Sequence, residues 1–238
     1  MQAIDIMTPG VITAAPDTPI SELIRLMLSH HVSAIPILDG ETLAGIVSEG
    51  DLIRRAELGS ERRPSRWLEL ISSRAHLAAD YVHTHGRMAR EVMTSEVVTV
   101  ADTTPIADIA ALLEKHRIKR VPVLRDGKLL GIVSRANLLR ALACSIGQPA
   151  TVDDRRIRDA ILGELRKQPW GGSPVETSVM VQDGVVHLWG YFDSEAERQA
   201  RIVAAEATPG VRSVQDHMQH WTPPDPLDRP NWPRPAPP

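Results

Sequence analysis

The sequence predicts a mixed α+β / α/β protein, in which a duplicated β-α-β-β-α unit precedes a smaller α/β domain. Two observations establish the duplication. Gly45-Ile46-Val47-Ser48-Glu49-Gly50-Asp51 returns 86 residues later as Gly131-Ile132-Val133-Ser134-Arg135-Ala136-Asn137. The same offset aligns Met7 to Arg54 with Met93 to Arg140 without a gap, and 19 of those 48 positions are identical. A third observation separates the C-terminal domain: after Gln148-Pro149 the repeat stops and a new pattern of helix, hairpin, helix and strand begins. A repeated unit of this size leaves an apolar face uncovered until its copy stacks on it.

Each copy opens with an extended stretch, Val11-Ile12-Thr13 or Val97-Val98-Thr99. Asp17-Thr18-Pro19 and Thr103-Thr104-Pro105 read as helix starts, with a hydroxyl at the N-cap and proline in the first helical position. Ile20, Leu23, Ile24, Met27 and Leu28 follow at helical spacing, as do Ile106, Ile109, Ala110 and Leu113. Two apolar strands come next, 34–38 and 43–47 in the first copy, 120–124 and 129–133 in the second. Asp39-Gly40 and Asp126-Gly127 between them signal hairpins. Ser48 and Ser134 then cap a final helix, 49–57 or 135–142.

The domains predicted are repeat 1 over 1–57, a helical connector over 58–90, repeat 2 over 91–147, the α/β domain over 150–220 and a proline-rich tail over 221–238. In the connector, Arg62, Arg63, Arg66 and Arg74 read as one solvated helix face. His76, Asp80, His83 and His85 lack the spacing of a metal set, so no metal site is expected. In the C-terminal domain, Val152, Ile157, Ala160, Ile161 and Leu165 make one amphipathic helix. Asp183-Gly184 turns a hairpin, Gly190 ends its second strand, Ser194 starts another helix, and Val211, Val214 and His217 begin a last strand. The tail carries eight prolines after Trp221 and too little apolar surface for a core.

Composition narrows the function class. Hydrophobic content of 42% and charged content of 24% are ordinary for a globular protein. The net charge is -3 and no segment is strongly basic, so nucleic acid is not an expected partner. Charge is uneven, though: residues 1–54 hold 7 acids and 2 bases, whereas 91–147 hold 6 acids and 8 bases. A single cysteine, Cys144, and an N-terminus without an apolar run point to the cytoplasm. The motifs of common hydrolases and nucleotide-transferring enzymes are missing, so the chain is not expected to be an enzyme.

The repeated pattern resembles the CBS domain, named after cystathionine β-synthase, whose tandem copies pack sheet against sheet. The C-terminal stretch, with Gly190 and Gly210-Val211-x-x-Val214, resembles a BON domain. The first resemblance implies a regulatory module that binds an adenosine-containing ligand: AMP, ADP or ATP ahead of S-adenosylmethionine, with no required cofactor. It implies that Ser48 and Asp51 read the ribose, and that Ser134 and Asn137 are the equivalent pair in repeat 2. It also implies that Thr13, Ile35, Pro36, Thr99, Val121 and Pro122 frame the base, and that Lys119 and Arg120 hold phosphate. The chemistry agrees, since an ionised carboxylate suits a diol and cations suit phosphate. Asp51 with Lys119 and Arg120 is expected to make one strong site. The resemblances further imply a homodimer built on the tandem module, and a protein or phospholipid surface as partner of the BON-like domain. An alternative stays open, in which the tandem module is only a dimerisation scaffold.

Overall fold

The protein, seen in a computed structural model, is described over residues 1–53, 82, 85–144, 151–171 and 177–220. Most of the predicted connector and the whole tail lie outside these residues. So do Arg62, Arg63, Arg66, Arg74, His76, Asp80 and His83.

Repeat 1 contributes α1 (Ala3–Ile6), β1 (Thr8–Pro9), α2 (Ile20–Ser29), β2 (Ala34–Asp39), β3 (Thr42–Ser48) and α3 (Glu49–Ile53). Repeat 2 contributes α4 (Ala89–Val92), β4 (Val100–Ala101), α5 (Ile106–Lys115), β5 (Arg120–Arg125), β6 (Lys128–Ser134) and α6 (Arg135–Cys144). The two antiparallel hairpins, β2-β3 and β5-β6, meet edge to edge at Thr42 and Lys128, so five strands form one hydrogen-bonded path, β2-β3-β6-β5-β4, and β1 joins the sheet at β6.

The repeats exchange their N-terminal segments. Ala3 and Ile4 donate their N–H groups to the carbonyls of Thr104 and Asp102 in repeat 2. The equivalent Ala89 and Arg90 donate to Thr18 and Pro16 in repeat 1. Strand β1 pairs with Ile132 and Gly131, while Thr94 bridges to Ile46. Each core is therefore shared: Ala3, Ile6 and Met7 pack with Ile109, Val121 and Val133, and Ala89 and Val92 pack with Leu23, Ile35 and Val47. Neither copy closes its core alone.

Local chemistry moves several boundaries. Pro19 and Pro105 are the N-caps, with ψ of 146° and 144°, rather than first helical residues. Their extended backbone bridges to Met88 and Gln2, and Thr18 Oγ1 accepts from Ala15 N instead of capping a helix. The stretch Val11-Ile12-Thr13 is not a strand. Pairing begins at Ala14, which exchanges bonds with Pro36 and Leu38, and in repeat 2 at Val100. The two hairpins also turn differently. Asp126 and Gly127 both have positive φ, whereas in repeat 1 Gly40 opens the turn one position earlier.

The C-terminal domain has α7 (Val152–Lys167), β7 (Thr177–Gln182), β8 (Val185–Phe192), α8 (Glu195–Glu206) and β9 (Ser213–His220). Its sheet runs β7-β8-β9, with β9 parallel to β8. Thr151 caps α7 through a capping box with Asp154, and Ser194 caps α8. Strand β8 runs on past Gly190, whose φ of 138° a larger residue would resist. Two helices cover one sheet face through Ile161, Leu165, Val179, Leu188 and Ala205. On the other face Met180 enters the core of repeat 2. Among the described residues no helix is long and apolar enough to cross a membrane.

Candidate functional site

Two clefts lie between the repeats, related by the same 86-residue offset as the sequence. One, of about 430 Å³, is lined by Ser48, Glu49 and Asp51 of repeat 1 together with Thr94, Glu96, Val97, Arg117, Lys119, Arg120 and Pro122. The other, of about 460 Å³, is lined by Ser134, Arg135, Asn137 and Arg140 with Thr8, Val11, His31, Lys119 and Arg120. Both volumes suit a small ligand. Lys119 and Arg120, with Ser33 and Ala34, border both clefts, so the cations expected beside Asp51 are there.

The clefts differ in charge. The Asp51 cleft balances Arg117, Lys119 and Arg120 against Glu49, Asp51 and Glu96. Among the described residues, the Asn137 cleft has Lys119, Arg120, Arg135 and Arg140 on its walls and no carboxylate. Burial pulls the Arg120 guanidinium below its usual pKa, opposed by Glu49, and its Nη2 donates to Ser33 Oγ. Burial likewise lowers Arg140.

The two capping pairs have diverged in what they bind. Asp51 Oδ2 accepts from Ser48 N at 2.8 Å and from Ser48 Oγ at 2.7 Å. Asn137 Oδ1 accepts from Ser134 N at 2.9 Å and Oγ at 2.6 Å. Asn137, only 2% exposed, also uses its amide nitrogen, donating to the Ile6 carbonyl at 2.9 Å and to Thr8 Oγ1 at 3.3 Å. In this fold it is a tie between β1 and α6.

Other expected contacts fall elsewhere. Ile35 and Val121 are fully buried in the two cores, because alternate strand residues face inward. Thr13, Pro36 and Thr99 lie outside the walls of both clefts, and Pro122 lines one. Several wall residues went unpredicted: Thr8 and Thr94, His31 and Arg117, Arg135 and Arg140. The identical Met-Thr pairs at 7–8 and 93–94 were the available signal. His31 and Arg117 both sit just beyond a helix C-terminus with φ near 50°, which aims them into the clefts' rims. Cys144 is half-buried, and burial pushes its thiol pKa up, away from a reactive thiolate.

Family models match this chain at 3–57 and 89–144 (CBS domain) and at 153–220 (BON domain). The chain belongs to the CBS-domain proteins and carries a C-terminal BON domain. The CBS domain-containing protein CBSX2 of Arabidopsis thaliana is 30% identical over 146 residues, 58% of this chain and 61% of that protein. The chain thus spans about three fifths of that relative's length. The uncharacterized protein MJ1426 of Methanocaldococcus jannaschii is 32% identical over 151 residues, 58% of this chain and 89% of that protein. A crystal structure of CBSX2 in complex with AMP superposes with a TM-score of 0.53 at 31% identity, covering 60% of this chain and 97% of that one. All three likenesses cover about the length of the CBS pair.

Proposed function

We propose that the CBS pair is a nucleotide-sensing module, with AMP, ADP or ATP as ligand, and that the BON domain delivers its output to a protein or phospholipid surface. The observation that carries this reading is the cleft in which Asp51 stands with Lys119 and Arg120. Asp51 would accept from the ribose hydroxyls, and the two cations would meet phosphate. The AMP complex of the relative CBSX2 supports that ligand class. S-adenosylmethionine, which carries a sulfonium, fits the paired cations less well. Homodimerisation on the CBS module is part of the proposal, supported by the apolar side chains exposed on its helices at Leu28, Ile53, Leu139 and Leu142. In this reading the protein regulates and does not catalyse.

Calorimetry with AMP, ATP and S-adenosylmethionine is the test. Asp51→Ala and Arg120→Ala should each weaken nucleotide binding about tenfold or more, the loss of one charge-assisted contact. Asn137→Ala should weaken it less. No heat with any of the three at about millimolar concentration, a Kd worth only about 4 kcal/mol, would overturn the proposal. Liposome sedimentation of the full chain, with and without ATP, separates nucleotide-controlled output from a plain scaffold.

A further inference from the structure

The BON domain does not dock on the two CBS repeats equally. Its helix α7 grips the crossed-over N-terminal segment of repeat 1. Arg155 Nε donates to Asp5 Oδ1 at 2.6 Å, and Arg155 Nη2 donates to Gln2 Oε1 at 3.0 Å. Arg158, 5% exposed, spans the junction: its Nε donates to the Val179 carbonyl of the BON sheet at 3.0 Å, and its Nη2 to the Met7 carbonyl at 2.6 Å. Burial lowers the Arg158 pKa, with Asp159 opposing. A guanidinium held mainly by carbonyls in a desolvated place needs both of them, so the junction is sensitive to small shifts of Met7.

The other end of the same segment forms a wall of the basic cleft. Thr8 lines that cleft, β1 pairs with Ile132 and Gly131 beside it, and Asn137 holds the Ile6 carbonyl and the Thr8 hydroxyl. Within seven residues, the chain runs from Gln2 and Asp5 at the BON arginines to Thr8 at the cleft. The equivalent segment of repeat 2 has no such double duty among the described residues. Glu91, in the place of Asp5, accepts from the N–H groups of Arg87 and Met88, and Asp51 has no amide donor in the place of Asn137.

We propose that residues 2–8 couple the Asn137 cleft to the BON domain, so that a phosphate-bearing ligand in that cleft tightens the BON junction. This rests on the nucleotide reading above and extends it from the Asp51 cleft to the second cleft, which shares Lys119 and Arg120 with the first. The cleft's walls are Thr8 and Val11 on one side and Lys119, Arg120, Arg135 and Arg140 on the other. A ligand touching both sides clamps Thr8 against repeat 2, which favours the arrangement that presents Met7 to Arg158 and Asp5 to Arg155. Ligand binding stabilises whichever state it prefers, and the coupling is reciprocal.

The test is amide hydrogen exchange of the full chain with and without ATP, alongside calorimetry. The expected result is slower exchange over residues 3–8 and over α7, by about fivefold or more, the low end of ordinary coupling factors. By reciprocity, Arg155→Gln should weaken ATP binding by a similar factor, with a thermal melt to establish that the variant is folded. Heat of ATP binding without any change of exchange in 3–8 and α7, or with faster exchange there, overturns the coupling and leaves the nucleotide reading standing. Absence of binding heat overturns both. Because the wild-type exchange experiment needs no variant, an unfolded Arg155→Gln does not leave the proposal undecided.

Discussion

Asn137→Asp exchanges one atom and tests whether this residue is a tie or a ligand reader. The Oδ1 contacts with Ser134 N and Oγ survive the change. The amide nitrogen becomes an oxygen that faces the Ile6 carbonyl, where a 2.9 Å hydrogen bond had been. Leaving that buried carbonyl without a donor costs about 1–3 kcal/mol. Desolvating the carboxylate at a site 2% exposed adds several more, on the scale of about 3–5 kcal/mol for a poorly compensated buried charge. The Ser134 donors and the four nearby cations offset part of this, since each charge-assisted bond contributes about 1.5–3 kcal/mol. The net expectation is a loss of about 2–4 kcal/mol near neutral pH, or roughly 5–15 °C in Tm for a chain of this size.

The pH dependence carries the sharper test. Burial next to a carbonyl raises the folded-state pKa of the new carboxyl above its unfolded value near 3.9. A raised folded pKa means the deficit is full above that pKa and shrinks as pH falls, because the neutral acid can donate to Ile6. Thermal melts by far-UV circular dichroism, variant against wild type, at about pH 7.5 and about pH 5 measure both effects. A Tm within about one degree of wild type at neutral pH, less than a 1 kcal/mol change, would refute the tie. A deficit that grows on acidification would refute the electrostatic reasoning.

Two further outcomes follow from the packing. Burial, and then His217, lower the His187 pKa below its ordinary value of 6.5, and His187 Nδ1 lies 3.1 Å from His217 Nε2. A depressed histidine resists protonation in the fold while the unfolded chain takes the proton. Stability should therefore fall as pH drops below about 6.5, and His187→Gln should flatten that slope; an unchanged slope rules the pair out as its source. Gly131 faces the Thr8 carbonyl at 2.7 Å from an added Cβ, whereas Gly45 faces the thioether end of Met93. Gly131→Ala should cost about 1–3 kcal/mol in a chemical denaturation series, and Gly45→Ala less, because a methionine can move and a paired strand cannot. Equal losses would show that backbone rigidity is not what separates them.

Much of the fold was legible because its signals are local. Asp183-Gly184 turns where its dipeptide predicts, and Thr151, Asp154 and Ser194 cap where their side chains allow. Asp126-Gly127 behaves the same way, while the shifted Asp39-Gly40 pair still turns but with the glycine first. What could not be read was which copy an element packs on. Ala3, Ile6 and Met7 have the same apolar character whether they cover their own repeat or the other, and the structure places them on the other. The cleft walls were hidden for a related reason. Arg135 and Arg140 look like ordinary helix-surface cations until β1 and the loop at His31 close over them. Ile35 and Val121 were opaque in the opposite sense, since a short apolar strand does not say which of its side chains meet the core, and both are fully buried.

In the sequence Asn137 stands as the repeat-2 equivalent of Asp51. In the fold the difference is understood as a division of labour between copies. A carboxylate at 137 would set an acceptor against the Ile6 carbonyl and put an acid beside Lys119, Arg120, Arg135 and Arg140 in the cleft. The amide avoids both and fastens the N-terminal segment. That segment carries a second difference of the same kind. Glu91 is one methylene longer than its equivalent Asp5, and it folds back on the N–H groups of Arg87 and Met88. Asp5 accepts from Gln2 N with Oδ2 and from Arg155 with both oxygens. Both differences fall on the leading segment that the BON domain meets, Asp5 at Arg155 and Asn137 at Ile6 and Thr8. Among the described residues, the BON arginines meet the repeat-1 segment at Gln2, Asp5 and Met7 and make no hydrogen bond to its repeat-2 counterpart.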